Sequence, residues 1–172
     1  LNVTTPAGQA AISAAQNNGA ALAWTQNGDI YYAPSDSTAA AINVSKSETE
    51  STTPQLAHDS AGTAHLIWAE KQAGGIDIFY SQCAADQCTP PVQITTPASL
   101  DCLAEPGAEN TAPTLAIDKS DTLLAVWQNN AGGLLFSTWP ADESSLQTPA
   151  GCIPQADGLP RLNGGAEGVF AL

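Results

Sequence analysis

The sequence predicts an all-β protein in which one structural unit is written three times. Trp24, Trp68 and Trp127 each close a short apolar run, in LAWTQNGDIYYAPSD, LIWAEKQAGGIDIFYSQC and AVWQNNAGGLLFSTWP. A polar turn and a second apolar-aromatic run follow each: Ile30-Tyr31-Tyr32, Ile78-Phe79-Tyr80 and Leu134-Leu135-Phe136. No segment sustains apolar residues at i, i+3, i+4 and i+7, so no long helix is expected. Internal similarity at roughly 45 to 60 residues marks stacked supersecondary units.

The middle copy gives the elements most clearly. Pro54 to His58 reads as a short strand, and Asp59-Ser60-Ala61-Gly62 as a turn in which Asp accepts backbone hydrogen bonds and Gly supplies positive φ. Thr63 to Ala69 is a second strand, rich in β-branched and aromatic residues. After the turn Gln72 to Gly75 come a third strand, Ile76 to Ser81, and a fourth, Val92 to Thr95. The last copy repeats this order with strands at 113–117, 122–128 and 133–138. The first does so with strands at 11–14, 20–25, 29–33 and 42–45.

Four short antiparallel strands per copy make a propeller-type blade. Both alternating sets of Ala64-His65-Leu66-Ile67-Trp68-Ala69 are largely apolar, as a sheet covered on both faces requires; a two-sheet sandwich shows cleaner alternation. The expected fold is therefore three four-stranded antiparallel blades, at about 9–46, 54–97 and 113–163, with unpaired strands at 1–6 and 168–172. Leu1-Asn2-Val3-Thr4 matches Ile42-Asn43-Val44-Ser45 and Val92-Gln93-Ile94-Thr95, so it reads as an outermost strand without its own blade. Val169-Phe170-Ala171-Leu172 reads as the first strand of an uncompleted blade.

Three blades are too few for a ring, since propellers use about four to eight. The chain is then cut from a longer propeller, joins other copies to close a ring, or exchanges terminal strands to grow a filament. Unpaired strand edges template pairing, and head-to-tail contacts that do not close give fibres. It begins at Leu1 and contains no Met, which is expected of a processed or excerpted chain.

Composition excludes several classes. Four basic residues against 17 acidic ones give a net charge of −13. A nucleic-acid binder needs a basic stripe, so nucleic acid is not an expected partner. No apolar run approaches the roughly 20 residues of a bilayer-spanning helix, so membrane insertion is not expected. Four cysteines are present: Cys83, Cys88, Cys102 and Cys152. Four allow three pairings; 83–88 across the AADQ turn and 102–152 between loop-like segments are the preferred set. Zinc is the rival reading of CAADQC, but Cys102 and Cys152 supply no second close pair. Disulfides point to an oxidising, extracellular or cell-surface location.

The pattern P-x-L-A-x-D-x-x-G-x-x-x-x-x-W followed by D-I-F-Y-S resembles the repeat of sialidase-like, Asp-box-type β-propellers of bacterial extracellular proteins. Asp59, Gly62 and Trp68 carry it. Asp118 and Trp127 match it with Asp121 in the glycine place, and Ala15 or Gln16 stands at the Asp position of the first copy. The resemblance spans most of residues 9–138 and implies architecture. Sialidase chemistry would need an arginine cluster, a Tyr nucleophile with a Glu partner and an Asp acid/base. Arg161 is the only arginine, so no catalytic residue is assigned.

Glu70, Asp29, Asp77, Asp59 and Asp118 are the acids available for paired-carboxylate hydrolysis. Asp29 and Asp77 share one repeat position and Asp59 and Asp118 another, which favours structural duty, turn capping above all. His58 and His65 on neighbouring strands lack a third metal ligand, and no cofactor is expected. Asn2 and Asn43 open glycosylation sequons. Trp139 is read as packing in a loop beside Pro140, with sugar stacking as the alternative. The expected function is a non-enzymatic structural or adhesive protein that self-associates into a polymer or ring. The competing reading is a carbohydrate-binding or glycosidase-like propeller fragment with a glycan ligand.

Overall fold

The computed structural model describes residues 8–15, 19–95, 109–130 and 133–142, and the backbone of 151–154, 162–165 and 168–171. Every regular element among these is a strand. The first sheet holds β1 (Ala10–Ala14), β2 (Ala20–Gln26), β3 (Asp29–Pro34) and β4 (Ile42–Asn43), in that order. The second holds β5 (Ser51–His58), β6 (Ala64–Gln72), β7 (Gly75–Ala84) and β8 (Gln87–Cys88), with β9 (Val92–Gln93) also paired to β7. The third holds β10 (Asn110–Ile117), β11 (Thr122–Asn129), β12 (Gly133–Pro140) and β13 (Gly151–Pro154). β14 (Leu162–Gly165) and β15 (Gly168–Ala171) form a two-stranded sheet, and all these ladders are antiparallel.

Register explains the repeated phrase. Trp24 lies opposite Tyr31, Trp68 opposite Phe79 and Trp127 opposite Leu135. The first two pairs stack with ring centroids 6.0 and 6.1 Å apart; such cross-strand aromatic pairs stabilise a ladder by roughly 0.2–1 kcal/mol.

Because side chains alternate across a strand, each sheet has a tryptophan face and an opposite face. The opposite face carries Ile30 and Tyr32 in the first sheet, Ile78 and Tyr80 in the second, and Leu134 and Phe136 in the third. One core cluster joins Ala23, Ile30, Tyr32 and Val44 of the first sheet to Leu56, Leu66 and Trp68 of the second. A second joins Ile67, Ile78, Tyr80 and Ile94 of the second sheet to Leu115, Leu123, Ala125, Trp127 and Leu135 of the third. The second sheet is thus covered on both faces, which accounts for the apolar run through Ala64–Ala69.

Several expectations need correction. The first strands of the second and third units begin at Ser51 and Asn110, not at Pro54 and Pro113. In each, the register shifts just before the proline, between Thr52 and Gln55 and between Thr111 and Thr114. Thr53 and Ala112 there have φ of 50° and 49°. The bulge sets a residue without an N–H where the ladder needs no donor, so the strand continues upstream of its proline.

The expected fourth strands at 42–45 and 92–95 pair only over Ile42–Asn43 and Val92–Gln93. The C-terminal segment is not an unpaired strand, since Leu162, Asn163, Gly164 and Gly165 pair with Ala171, Phe170, Val169 and Gly168. Cys152 lies in strand β13 opposite Leu135, not in a loop. Trp139 is in β12 rather than a loop, 2% exposed, with its ring edge-on to Tyr80 at 5.4 Å.

Candidate functional site

The polar residues singled out in the sequence gather at three repeated posts. At the first, an aspartate closes the turn between the first two strands. Asp59 Oδ1 accepts the Thr63 amide at 2.8 Å, and Gly62 has φ +86°. Asp118 Oδ1 accepts the amides of Ser120 and Thr122 at 2.8 and 2.9 Å. Asp121 takes φ 55° where the middle copy has glycine, a conformation Asp tolerates better than most L residues. Its carboxylate also accepts the Ser60 amide at 2.8 Å and the Ser60 hydroxyl, so the two turns are tied together.

The second post lies at the start of each third strand. Asp29 Oδ1 accepts the Ser45 hydroxyl at 2.9 Å and the Ser47 amide at 2.8 Å, while Oδ2 accepts Asn43 Nδ2 at 2.7 Å. Ser45 Oγ in turn accepts the Ile30 amide at 2.9 Å. Asp77 and Thr95 repeat this: Thr95 Oγ1 donates to Asp77 at 2.7 Å and accepts the Ile78 amide at 3.0 Å. The Val44 and Ile94 amides donate to the Ile30 and Ile78 carbonyls at 2.7 and 2.8 Å. This is a clamp on the outermost segment rather than the expected turn cap. It holds Val44-Ser45 and Ile94-Thr95 where the ladder has ended. The third sheet has Gly133 at this place, opposite Asn129 as Asp29 is opposite Gln26.

The third post serves the tryptophans. Trp24 Nε1 donates to Gln26 Oε1 and Trp68 Nε1 to Glu70 Oε2, both at 3.0 Å. Glu70 also accepts the hydroxyl of buried Ser51 and the Gln72 amide, both at 3.0 Å. In the third copy the matching residue is Asn129, one methylene shorter than Gln26. Its amide donates to Asn110 Oδ1 at 3.0 Å, and buried Trp127 Nε1 has no acceptor among the described residues.

One buried chain is unique to the middle copy. Asp59 Oδ2 lies 3.2 Å from His65 Nε2, His65 Nδ1 lies 2.7 Å from the Tyr80 hydroxyl, and Gln82 Nε2 donates to that hydroxyl at 2.8 Å. An ionised carboxylate only accepts, so Nε2 carries the imidazole proton and Tyr80 donates to Nδ1. Burial opposes ionisation of Asp59, but the His65 and Thr63 hydrogen bonds together hold its pKa below the usual carboxylate value. Burial lowers the pKa of His65 against the pull of Asp59, and it raises that of Tyr80. His58 does not join the chain: its Nδ1 pairs with Ser13 Oγ at 3.0 Å, and burial lowers its pKa as well. No cluster of three or more His, Cys, Asp or Glu suited to a metal occurs among the described residues.

Cys83 and Cys88 form the expected disulfide, which crosses the β7–β8 hairpin. Cys102 lies outside the described residues, as do Asn2 with Leu1, Val3 and Thr4, and also Leu172. Asn43, in the second sequon, donates from Nδ2 to Asp29 at 2.7 Å and accepts the Lys46 amide on Oδ1 at 2.9 Å. Sequence reasoning missed Ser45 and Thr95 as clamp hydroxyls and took Tyr80 only for packing. The signal for the clamps was present: Asp-Ile at the third strand, then an apolar-Ser/Thr pair 14 to 17 residues on.

No family model matches this chain, and no curated protein does. Among solved structures it is similar to a fucose lectin from Kordia zhangzhouensis in complex with methyl-fucoside. That likeness has a TM-score of 0.41 and 12% sequence identity, over 81% of this chain and 100% of the lectin chain.

Proposed function

We propose that this chain is a non-enzymatic extracellular protein with a structural or adhesive role. Its sheets act as propeller-type blades of the sialidase-like, Asp-turn kind. Its copies self-associate through β-strand pairing of the terminal segments, as a filament or closed ring. The observation that carries this reading is the posting of the carboxylates. Asp29 and Asp77 clamp outer segments, Asp59 and Asp118 close turns, and Glu70 holds Trp68 and Ser51. An acid saturated with donors from its own fold is poorly placed to shuttle protons to a substrate.

Strand pairing is supported by the clamp pattern. Leu1-Asn2-Val3-Thr4 repeats the apolar-amide-apolar-hydroxyl order of Ile42–Ser45 and Val92–Thr95. The Asp29-Ile30 and Asp77-Ile78 acceptors are already filled by those two segments. A Thr4 clamp therefore calls for an acceptor other than these two. β15, with Val169, Phe170 and Ala171, offers a strand paired on one side by β14. The Cys83–Cys88 disulfide supports an oxidising compartment.

Glycan binding is the second reading. Half-buried Tyr31 lies on the tryptophan face, stacked on Trp24, and an amphipathic aromatic ring there suits a sugar.

The mass of the native particle, with and without Leu1 to Pro6, tests the proposal. A large assembly that is lost on truncation while the core stays folded supports strand pairing. A truncated chain that assembles as before overturns it. A stable monomer that binds glycans on an array replaces it with lectin-like binding.

A further inference from the structure

We propose that His65 is an acid-sensitive latch in the joint between the second and third sheets. Taking up a proton at Nδ1, it reverses the hydrogen bonds around the Tyr80 hydroxyl and loosens the hold of Tyr80 and Gln82 on Trp139 and Ala141. The inference goes beyond the self-association reading and does not depend on it.

Placement comes first. Side chains alternate along a strand, so His65 in β6 shares a face with Ile67, and Tyr80 in β7 shares it with Ile78 and Gln82. That face packs on the third sheet, where Ile67, Ile78 and Tyr80 join Leu115, Leu123 and Trp139 in one core cluster. His65 is fully buried there. The hydrogen-bonded chain that begins at Asp59 ends on the third sheet. Gln82 Nε2 faces the Tyr80 hydroxyl at 2.8 Å and the Ala141 carbonyl at 3.4 Å. Ala141 donates its amide to the Asp121 carbonyl at 2.8 Å, and the Asp121 carboxylate holds Ser60 of the second sheet. Two polar ties thus frame one joint.

The polarity of the chain depends on a neutral imidazole. With the proton on Nε2, His65 donates to Asp59 and accepts the Tyr80 hydroxyl on Nδ1, 2.7 Å away. The phenol oxygen in turn accepts from Gln82. A proton on Nδ1 sets two donors against each other at that distance. The Tyr80 O–H then needs another acceptor, and Gln82 offers it a donor. The Trp139 ring beside it has an indole N–H, which only donates. Two escapes are open. Gln82 turns its amide to present Oε1, which withdraws Nε2 from the Ala141 carbonyl. Otherwise the Tyr80 ring moves off His65 and gives up its edge contact with Trp139. Both loosen the second sheet from the third.

The charged and titratable groups that face His65 are Asp59 from the β5–β6 turn, Tyr80 from β7 and Asp121 from the turn before β11. His58, at the end of β5, lies close enough to be repelled by its charge. Burial opposes the imidazolium, both aspartates favour it, and burial prevails. The latch is therefore closed at neutral pH and opens in acid. It belongs to one joint only. At the positions of His65 and Tyr80 the first sheet has Ala21 and Tyr32, and the third has Leu124 and Phe136.

The test is hydrogen exchange of the full chain between pH 7 and pH 5, read by mass spectrometry. Exchange of the imidazole C2 proton follows the titration of His65, and backbone protection factors report on the joint. Protection of the Ser60 and Ala141 amides is expected to fall about tenfold as His65 titrates, the scale set by stranding one buried donor. The Val44 and Ile94 amides, held by the clamps, should keep theirs. Y80F keeps the ring but removes the hydroxyl that stabilises the neutral imidazole. In Y80F the His65 titration should move to higher pH, and the joint amides should stop following it. If Y80F melts early, Q82M takes its place; it cuts the tie to Ala141, so protection at the joint should be equal at both pH values. Joint amides that stay protected while His65 titrates overturn the proposal. So does a Y80F chain, or Q82M in its place, that loosens in acid like the wild type. An H58Q chain that loses the response assigns it to His58 and overturns the proposal as well.

Discussion

The carboxylate of Asp121 accepts both the amide and the hydroxyl of Ser60, joining the turn of one sheet to the turn of the next. Asp121 does this from φ 55°, a region glycine fills more easily. Replacing it with glycine relaxes the backbone but removes two charge-assisted hydrogen bonds. The bonds win: D121G is expected to be less stable than the wild type by about 1 kcal/mol. Chemical denaturation of D121G, S60A and the double variant checks this. Additive losses would show that the two residues do not act together.

The clamps make a sharper prediction. Removing Asp29 leaves the Ser45 hydroxyl, the Asn43 amide and the Ser47 amide without their acceptor. D29A and D77A are each expected to cost about 1–3 kcal/mol, a fall in melting temperature of roughly 2–4 °C per kcal/mol for a chain of this size. D29A and S45A share one network, so their combined effect should fall short of the sum. Hydrogen exchange gives a local readout. The amides of Val44 and Ile30 should lose protection in D29A while those of Ile78 and Ile94 keep theirs.

Stability should fall in acid through the buried chain. The folded pKa of His65 is below its usual 6.5, because burial disfavours the charged ring. The unfolded state therefore binds more protons as pH drops through 6.5, and stability present above that value is progressively lost below it. His58 acts in the same direction. Asp59, held below its usual 3.8, adds a second loss at lower pH. Melting temperatures should be flat between about pH 7 and pH 9 and decline toward pH 5. H65Q should be less stable at neutral pH but show a shallower decline, with the remainder due to His58. Equal slopes in H65Q and wild type would remove His65 from the account.

The Cys83–Cys88 bond closes a short loop, with a sequence separation of 5. Loop entropy then assigns it about 2 kcal/mol. Reduction, or C83S/C88S, should lower the melting temperature by several degrees without changing the far-ultraviolet circular dichroism. Loss of the β signal on reduction would mean that the hairpin depends on the bond far more than loop entropy allows.

Part of this architecture was legible because strands and turns are local. Trp24, Trp68 and Trp127 with their following aromatic runs marked the central hairpin of each sheet. Asp59 and Asp118 identified their turns because an Asx side chain bonds a backbone only a few residues away. The strand starts were misjudged because Pro54 and Pro113 read as boundaries, whereas a bulge carries each strand past its proline. Trp139 looked like a loop residue because Pro140 and a polar stretch follow it; its burial comes from Tyr80 on another sheet.

The sequence by itself determined that the chain is all-β, that its unit recurs three times, and that Cys83 can reach Cys88. These follow from periodicity, turn chemistry and short loops, which neighbouring residues settle among themselves. Only the tertiary structure decided which faces meet. The Ser60–Asp121 link and the exposure of Ile12 against the burial of Leu56 depend on how one sheet lies on the next. The repeats put an apolar residue at both Ile12 and Leu56. What sets them apart is whether a neighbouring sheet excludes water.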